Sequence, residues 1–336
     1  MLPLLPELGI NSPFVKKTSS VAVIGAGLAG LSCAQALRAA GVEVRIFESA
    51  PFVGGRCATR LWQGHLVDHG VQYFTAQSPE FKKELLTRLR QFRPIISPIL
   101  DSENKLVTSP NGPRFYVLQG NNYLAHVFSH GLDIRLNTPV ESISFRPTEI
   151  ECLGENYGAV VSALPGPQTM RLFGLAQAPV EYDSCLVALF EYSGSGIGKS
   201  SECYARLAAP NNAVFLSSHC ENHKAGRIIG NKTVFIVQAT PAFSQQHLDA
   251  PPEKYLPLLA MENEELWRIP SNHRTATYGH RWDYARSLPQ SRSRTDPPRG
   301  AFLCGDSRTD STVEEVWHDG RKAADEVLAY LAELNG

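Results

Sequence analysis

Residues 21–48 decide the fold of this chain, and they begin V-A-V-I-G-A-G-L-A-G and end R-I-F-E. The first four residues are a continuous apolar run, which predicts a strand buried on both faces. Gly25, Gly27 and Gly30 follow at the spacing G-x-G-x-x-G. The first glycine allows a tight turn, the second lets backbone N–H groups approach a pyrophosphate, and the third lets a helix pack closely on the sheet.

The rest of this stretch predicts a complete βαβ unit. Residues 28–40 are mostly small or apolar, and Gly41 stands where a helix would end. A second strand over residues 42–47 leads to Glu48, about 20 residues beyond the glycines, where an acid hydrogen-bonds a ribose 2′-OH. The pyrophosphate would sit at the helix N-terminus. An acid here argues against a 2′-phosphate, so the adenosine should belong to FAD or NAD.

The composition limits the class of protein. The chain has 336 residues, is 43% hydrophobic and has a formal net charge of −1, so it offers no electrostatic case for a nucleic-acid partner. No apolar run approaches the ~20 residues that span a bilayer. Seven cysteines, an odd number without a C-x-x-C pair, indicate reduced thiols and a cytoplasmic location. Residues 1–17 are broken by prolines and are interpreted as an extension rather than a secretory signal.

Two architectures alternate along the chain. Apolar runs over residues 159–164 and 301–304 predict further buried strands, whereas the longer runs 185–191 and 233–240 predict an antiparallel sheet of another layer. Shorter strands are predicted at 134–136 and 140–143. Helices are predicted over residues 81–89, from residue 120, and over 251–267 and 312–334. We therefore predict an α/β fold in which a Rossmann-like domain (18–77, 113–170 and 296–336) is interleaved with an α+β substrate domain (78–112 and 171–295).

Two further motifs have a simpler interpretation. Residues 193–200, S-G-S-G-I-G-K-S, resemble a P-loop, but a serine replaces its first glycine and no helical pattern follows Lys199, which favours a glycine-rich hairpin. His126 and His130 have the i, i+4 spacing of metal ligands, yet no carboxylate pattern supports them. We predict no metal site.

Several motifs in order along the chain resemble the flavin-containing amine oxidase superfamily with the glutathione-reductase-type FAD fold. Within that superfamily the sequence is most similar to renalase-like FAD-dependent oxidoreductases. The matching pieces are the Gly25–Gly30 turn with Glu48, then G-G-R at 54–56, D-H-G-V-Q-Y-F at 68–74, L-N-T-P-V at 136–140, H-R-W at 280–282, C-G-D at 304–306 and V-E-E-V-W at 313–317. One departure is the Ser/Thr-rich segment 307–312, where the family usually has glycines.

The resemblance implies an amine-oxidase or p-hydroxybenzoate-hydroxylase-like topology and a non-covalent FAD. The adenosine ribose would meet Glu48, the pyrophosphate Arg56, and the ribityl group Asp306; a helix N-cap is the alternative for Asp306. The helix N-terminus at Val313 would face flavin N1 and O2. The implied cofactor-binding residues are Gly25, Gly27, Leu28, Ala29, Gly30, Glu48, Ser49, Gly54, Gly55, Arg56, Gln72, Tyr73, Phe74, Val140, Trp282, Gly305, Asp306 and Val313.

The resemblance also implies a reaction, in which hydride passes from a 2- or 6-dihydronicotinamide dinucleotide to flavin N5 and O2 then reoxidises the flavin to give H2O2. Such chemistry needs alignment more than acid–base groups, because the cofactor carries the difficult step. Gln72, Tyr73, His280 and Arg281 are the implied catalytic residues. Three alternatives stay open: an amine oxidase or desaturase-like enzyme, a flavin-binding protein without turnover and, least favoured, an NAD dehydrogenase.

Overall fold

A computed structural model describes residues 20–89, 91–146, 149–175, 181–289 and 296–335. The N-terminal extension expected over residues 1–17 lies outside these ranges. Among the helices of the described ranges, none has both the length and the apolar character that crossing a bilayer requires.

Eighteen strands and seven α-helices occur in the described residues. The strands are β1 Val21–Ile24, β2 Val44–Phe47, β3 Thr59–Trp62, β4 His65–Asp68, β5 Phe92–Pro94, β6 Ile99–Leu100, β7 Phe115–Val117, β8 Asp133–Arg135, β9 Ser144–Phe145, β10 Ile150–Cys152, β11 Glu155–Tyr157, β12 Ala159–Ser162, β13 Tyr182–Ser193, β14 Ala205–Leu207, β15 Phe215–Cys220, β16 Lys232–Ala239, β17 Arg274–Ser287 and β18 Ala301–Leu303. The helices are α1 Leu28–Ala39, α2 Pro79–Arg88, α3 Tyr123–Phe128, α4 Gly166–Leu172, α5 Pro241–Gln246, α6 Pro252–Trp267 and α7 Val313–Asn335.

The first sheet is parallel, with the strand order β18-β12-β1-β2-β8. Its β1 is completely buried, as an apolar strand between two covered faces must be. Helices α1, α3 and α7 form a core on one face of this sheet, and the antiparallel meander β9–β10–β11 closes a second core on the other face. This is the Rossmann-like arrangement that the glycine spacing predicts.

The second sheet has the order β17-β13-β16-β15-β14-β6 and is antiparallel except where β14 pairs with β6. Side chains alternate between its faces along β13, as the pleat requires. Leu186, Ala188 and Phe190 pack with residues of α5 and α6, whereas Val187 and Leu189 pack against Val67 of the β3–β4 hairpin. The sheet therefore presents one face to its own helices and the other to the parallel-sheet part of the chain.

Most of the predicted elements are present close to their expected positions. The buried strands are β12 and β18, the antiparallel pair is β13 with β16, and the four predicted helices are α2, α3, α6 and α7. The mixed α/β fold class is therefore confirmed. The glycine-rich segment after β13 continues without a helix, so the P-loop alternative is wrong.

Two local predictions are wrong. Residues 140–143 are not a strand, because Asn137 has a left-handed backbone with φ of 52° and Pro139 lacks a donor, so pairing stops at β8 and resumes at β9. The helix predicted from residue 120, on which the i, i+4 spacing would place both His126 and His130, ends at Phe128, so His130 lies beyond it. Groups of three or more metal-binding side chains are absent from the described ranges.

Candidate functional site

The glycine turn has the geometry that its spacing predicts. Gly25 has φ of 102°, a conformation that other residues rarely adopt. A Cβ on Gly30 would lie 2.1 Å from the carbonyl oxygen of Gly25, so α1 meets the turn without room for a side chain. A Cβ on Gly27 would meet nothing within 4 Å. Helix α1 begins at Leu28 with no side-chain cap on Gly27, which leaves its N-terminal donors facing open space.

Glu48 lies at the end of β2 and braces this turn. Its carboxylate accepts hydrogen bonds from the backbone N–H groups of Ala26 and Ala50, both at 2.8 Å, and the Ser49 hydroxyl lies 3.3 Å from it. Val140 is half-buried and packs beside the meander core. Glu48 is thus fixed at the C-terminal edge of the parallel sheet, where ligands of such folds bind.

The second glycine turn lies directly against the first. The N–H of Gly54 donates to the carbonyl of Ala26 at 2.9 Å, and a Cβ on Gly55 would come 3.7 Å from the Cα of Gly27. Two backbone turns that carry no side chains therefore face each other. That arrangement suits a phosphate-bearing ligand that needs close backbone contact.

Arg56 forms a bidentate ion pair with Asp306, with the Nη2–Oδ1 distance at 2.7 Å. Asp306 is buried and also accepts from the Tyr182 hydroxyl at 3.0 Å and from Ser311 Oγ at 3.1 Å. Burial alone would raise the pKa of Asp306, but the hydrogen bonds from these three groups lower it. Helix α7 begins at Val313, so the N-cap alternative for Asp306 is wrong.

The Ser/Thr-rich segment after Asp306 has a structural reason. Ser311 not only holds Asp306 but also lies 3.2 Å from the hydroxyl of Ser287 at the end of β17. It therefore links the turn after β18 to the antiparallel sheet. Gly305, with φ of 107°, starts this turn and lies next to Ala29 of α1.

A cavity of about 640 Å³ opens between the two sheets. Its described lining includes six of the residues that the resemblance implies for cofactor binding, and a larger number that it does not. The lining residues are Arg56, Gly70, Val71, Gln72, Tyr73, Phe74, Thr75, Val107, Thr108, Ser109, Pro110, Asn111, Arg114, Cys185, Leu207, Ser217, His219, Gln238, Trp282, Ala285, Arg286, Ser311, Thr312 and Val313.

Gln72, Tyr73 and Phe74 form one wall. The side-chain amide of Gln72 donates to the carbonyl oxygens of Asp68 and Gly70, whereas its Oε1 is buried without a hydrogen-bond partner. Phe74 is anchored by backbone hydrogen bonds to Phe115 in both directions, at 2.9 and 2.7 Å. A buried acceptor without a donor is unusual, and Gln72 stands ready for a ligand donor.

The H-R-W motif is divided by the pleat of β17. Trp282 lines the cavity and donates Nε1–H to the carbonyl of His69 at 3.1 Å. His280 lies on the same face, behind Trp282, with its ring 4.7 Å from that of His69. Burial lowers the pKa of each imidazole to about 4. His280 thus supports the cavity wall and is not one of its lining residues.

Arg281, one of the implied catalytic residues, points to the opposite side of the sheet and away from the cavity. Its register partner is Leu186, whose side chain belongs to the face covered by α5 and α6. The guanidinium donates to the carbonyl of Leu248 at 3.0 Å and pairs with Asp283 at 2.9 Å. The two-residue period of a strand is the physical reason.

The antiparallel sheet contributes a polar row that the motifs do not reveal. His219 Nε2 lies 3.0 Å from Ser217 Oγ, which in turn donates to Gln238 Oε1 at 3.2 Å. His219 Nδ1 is buried without a partner. Burial, with the charges of Lys224 and Arg114, lowers the pKa of His219 to about 3, so the ring is neutral. The available sequence signal is the run of three polar residues, Ser217 to His219, inside the strand stretch F-L-S-S-H-C.

A fully buried charge cluster lies beneath the Gln72 wall. Asp68 accepts from Lys224 Nζ at 2.8 Å and from Arg227 Nη2 at 2.9 Å, and Glu221 lies 3.0 Å from Lys224. All four side chains have zero exposure. The cluster joins β4 of the hairpin to the segment after β15, so it fixes the loop that follows Asp68.

Comparison with known proteins agrees with this geometry. A model of the NAD(P)-binding Rossmann-like domain matches residues 23–89. Protoporphyrinogen oxidase 2 of Arabidopsis thaliana is 38% identical over 60 residues, and phytoene desaturase of Fusarium fujikuroi is 49% identical over 51 residues. These matches cover 18% and 15% of this chain but only 12% and 9% of the relatives. They support the nucleotide-binding unit and leave the rest of the chain unmatched.

Solved structures match over nearly the whole chain. A protoporphyrinogen oxidase homologue from Exiguobacterium sp. 255-15 superposes with a TM-score of 0.68 at 14% identity, covering 92% of this chain and 98% of its own. Cyclohexylamine oxidase of Brevibacterium oxydans gives 0.72 at 13% identity, covering 94% and 100%. Reduced UDP-galactopyranose mutase gives 0.75 at 11% identity, covering 93% and 96%.

These likenesses define the class of fold. The chain combines a Rossmann-like nucleotide-binding domain with a second, antiparallel sheet, and it shares this overall fold with the superposed oxidase and mutase structures. The sequence relatives and most of these structural neighbours are oxidoreductases, either oxidases or desaturases.

Proposed function

We propose that this protein binds FAD non-covalently and acts as an oxidase of renalase type in the cytoplasm. It takes hydride from a 2- or 6-dihydronicotinamide dinucleotide and returns electrons to O2 as H2O2. One observation carries this proposal. A single cavity joins the N-terminus of α7 and the Gln72–Phe74 wall to three arginines, and no Asp or Glu is among its described lining residues.

The residues around the glycine turns fit FAD. The open space at Gly27, the uncapped α1 and the braced carboxylate of Glu48 suit a pyrophosphate and an adenosine ribose. Arg56 follows the second glycine turn and lines the cavity, and its partner Asp306 follows Gly305, which lies beside α1. The flavin, when bound, supplies hydride acceptance at N5. The protein's part is to orient the ring against Gln72, Tyr73 and Trp282 and to exclude bulk water.

The charge of the cavity favours an anionic substrate over an amine. A protonated amine would enter a site with Arg56, Arg114 and Arg286 in its lining and no carboxylate there to receive it. The pyrophosphate of a dinucleotide would meet complementary charge instead. The neutral His219 and the Gln238 amide can contact a carboxamide without adding charge.

An amine oxidase or desaturase-like enzyme is the second candidate, because the similar solved structures include putrescine oxidase and cyclohexylamine oxidase. A flavin-binding protein without turnover would share the cradle but has no use for the cavity. All seven cysteines are free, which accords with a reducing compartment.

Anaerobic mixing with a dihydronicotinamide isomer tests the proposal. The purified yellow protein should lose its flavin absorbance within seconds and recover it, with release of peroxide, when air is admitted. Putrescine and cyclohexylamine are the matched negative substrates. An intact flavin band with both nicotinamide isomers, and bleaching by an amine instead, would contradict the proposed substrate.

A further inference from the structure

Three arginines line the cavity, and their charges are not equally available. Arg56 is held by Asp306 in a bidentate pair. Arg286 pairs with Asp183 at 3.0 Å and is 62% exposed. Arg114 has no carboxylate within ion-pair distance among the described residues, and the residue as a whole is half-buried. A half-buried cation without a counter-ion is uncommon, because desolvation is then uncompensated.

Arg114 is nevertheless held in place. Its Nη2 donates to the carbonyl of Val107 at 3.3 Å, and the guanidinium lies 5.3 Å from the centre of the Tyr73 ring. A cation over an aromatic face is attracted to the ring quadrupole. Because the guanidinium is already held there, it loses little conformational entropy when a ligand binds. The remaining guanidinium donors have no described acceptor and can form the fork geometry that suits phosphate oxygens.

Around Arg114, the described lining of the cavity includes polar side chains and contains no Asp or Glu. Ser109 and Asn111 belong to the same loop, and His219 and Ser217 line the cavity from the antiparallel sheet. The ring of Tyr73 lies 6.5 Å from that of His219, so Arg114, Tyr73 and His219 form one continuous side of the cavity. An anion here would gain hydrogen bonds and meet no repulsion.

We propose that Arg114 is a specificity residue that binds a phosphate group of the substrate. The inference rests on the proposed function, because it concerns the substrate side of the same cavity. It names a contact that the sequence motifs do not assign. Arg114 sits on Tyr73, next to Gln72, so the phosphate would be bound beside the wall against which the reacting ring is oriented.

Nicotinamide mononucleotide and nicotinamide riboside test this contact because they differ only by a phosphate. Their binding to the purified protein, in the form that carries its flavin, can be measured by calorimetry. The wild type should bind the mononucleotide about tenfold more tightly or better, the range expected of a hydrogen-bonded charge. Arg114→Met should lose this preference, and Arg114→Lys should keep part of it because the charge remains.

Arg93→Met is the matched control, since Arg93 is exposed on β5 and outside the cavity lining. It should keep the full preference for the phosphate. A preference that survives in Arg114→Met, or no preference in the wild type, would overturn the inference. Bleaching by dihydronicotinamides is scored separately on the same preparations. An Arg114-dependent preference without bleaching would thus count against the proposed reaction alone.

Discussion

Asp68 carries its negative charge in the interior because two cations face it. Burial alone would raise the pKa of Asp68, but Lys224 and Arg227 beside it lower the pKa to about 2. Removing one partner from such a cluster is costly, because the charges left behind are buried and uncompensated. The cluster therefore ties the loop of Gln72 and Tyr73 to the antiparallel sheet.

Asp68→Asn should lower the free energy of unfolding by about 3–5 kcal/mol, since it leaves two buried cations facing a single carboxylate. Denaturation in urea measures the loss. Asp133→Asn is the control, because Asp133 pairs with Arg45 at a half-exposed site and should cost less than about 1 kcal/mol. Equal losses in the two variants would contradict the assignment of Asp68 to a stabilising cluster.

His219 makes stability depend on pH in a defined window. The pKa of His219 is about 3 in the folded protein and about 6.5 in the unfolded chain. Between these pH values the imidazole is neutral in the folded protein, whereas the unfolded chain binds a proton there. Stability should therefore fall as the pH drops from about 6.5 toward 3, by up to about 1.4 kcal/mol per pH unit from this residue. Urea titrations at several pH values give the free energy of unfolding as a function of pH. The slope of this dependence should be shallower in His219→Gln than in the wild type.

His130→Gln provides the comparison, because His130 is exposed and should leave the slope unchanged. Because the pKa values of His69 and His280 are also lowered, part of the pH dependence of stability should remain in His219→Gln. A slope identical to that of the wild type in His219→Gln would show that its imidazole is not buried and neutral.

Side-chain direction at single residues is partly readable from sequence. The period of two in a strand already separates Arg281 from His280 and Trp282, and applying it to H-R-W would have excluded Arg281 from the pocket. Arg114 could not be found in this way. It lies in a loop region without periodicity, and its role emerges only from the ring of Tyr73 beneath it.

At the scale of elements, the two glycines Gly27 and Gly30 in the turn between β1 and α1 have different roles. Gly30 is needed for packing, because its Cβ would lie 2.1 Å from a backbone oxygen that cannot move away. Gly27 has an ordinary φ of −72° and free space around it, so the fold alone does not require a glycine there. The space is what a pyrophosphate would fill.

Gly27→Ala and Gly30→Ala should therefore differ. Gly30→Ala should lower the free energy of unfolding by about 1–3 kcal/mol or more through overpacking. Gly27→Ala should leave the stability of the flavin-free protein almost unchanged while most of the FAD is lost. Thermal unfolding of the stripped proteins and flavin absorbance of the purified ones measure the two effects. Full FAD content in Gly27→Ala would contradict the assigned role of the turn.

Helices and strands are predicted well where the apolar spacing of a segment agrees with the residues that begin and end it. The glycine turn, the amphipathic α2 and the long α6 and α7 carry their own apolar spacing and ends. The strand expected over residues 140–143 does not form, although these residues include β-branched side chains that favour strands. The left-handed backbone of Asn137 and the missing donor of Pro139 interrupt the pairing before it. Short strands such as β9 and β10 depend on their partners more than on their own residues.

At the scale of the molecule, the site arises where the C-terminal edge of the parallel sheet meets one face of the antiparallel sheet. The general fold is predictable because the glycine turn and the interleaved strand types are each locally encoded. The buried cluster is not, since Lys224 and Arg227 are charged residues of a loop and their partner Asp68 is more than 150 residues away. The cavity likewise combines segments that only the tertiary fold brings together.

The flavin content of the purified protein tests the central claim most directly. The flavin is released by denaturation, identified by chromatography and quantified against the chain, with Glu48→Arg as the companion variant. We expect close to one FAD per chain in the wild type and little in Glu48→Arg, because the carboxylate proposed to bind the ribose would be lost. Purified or reconstituted protein that holds no FAD, or a variant that holds as much as the wild type, would contradict the account.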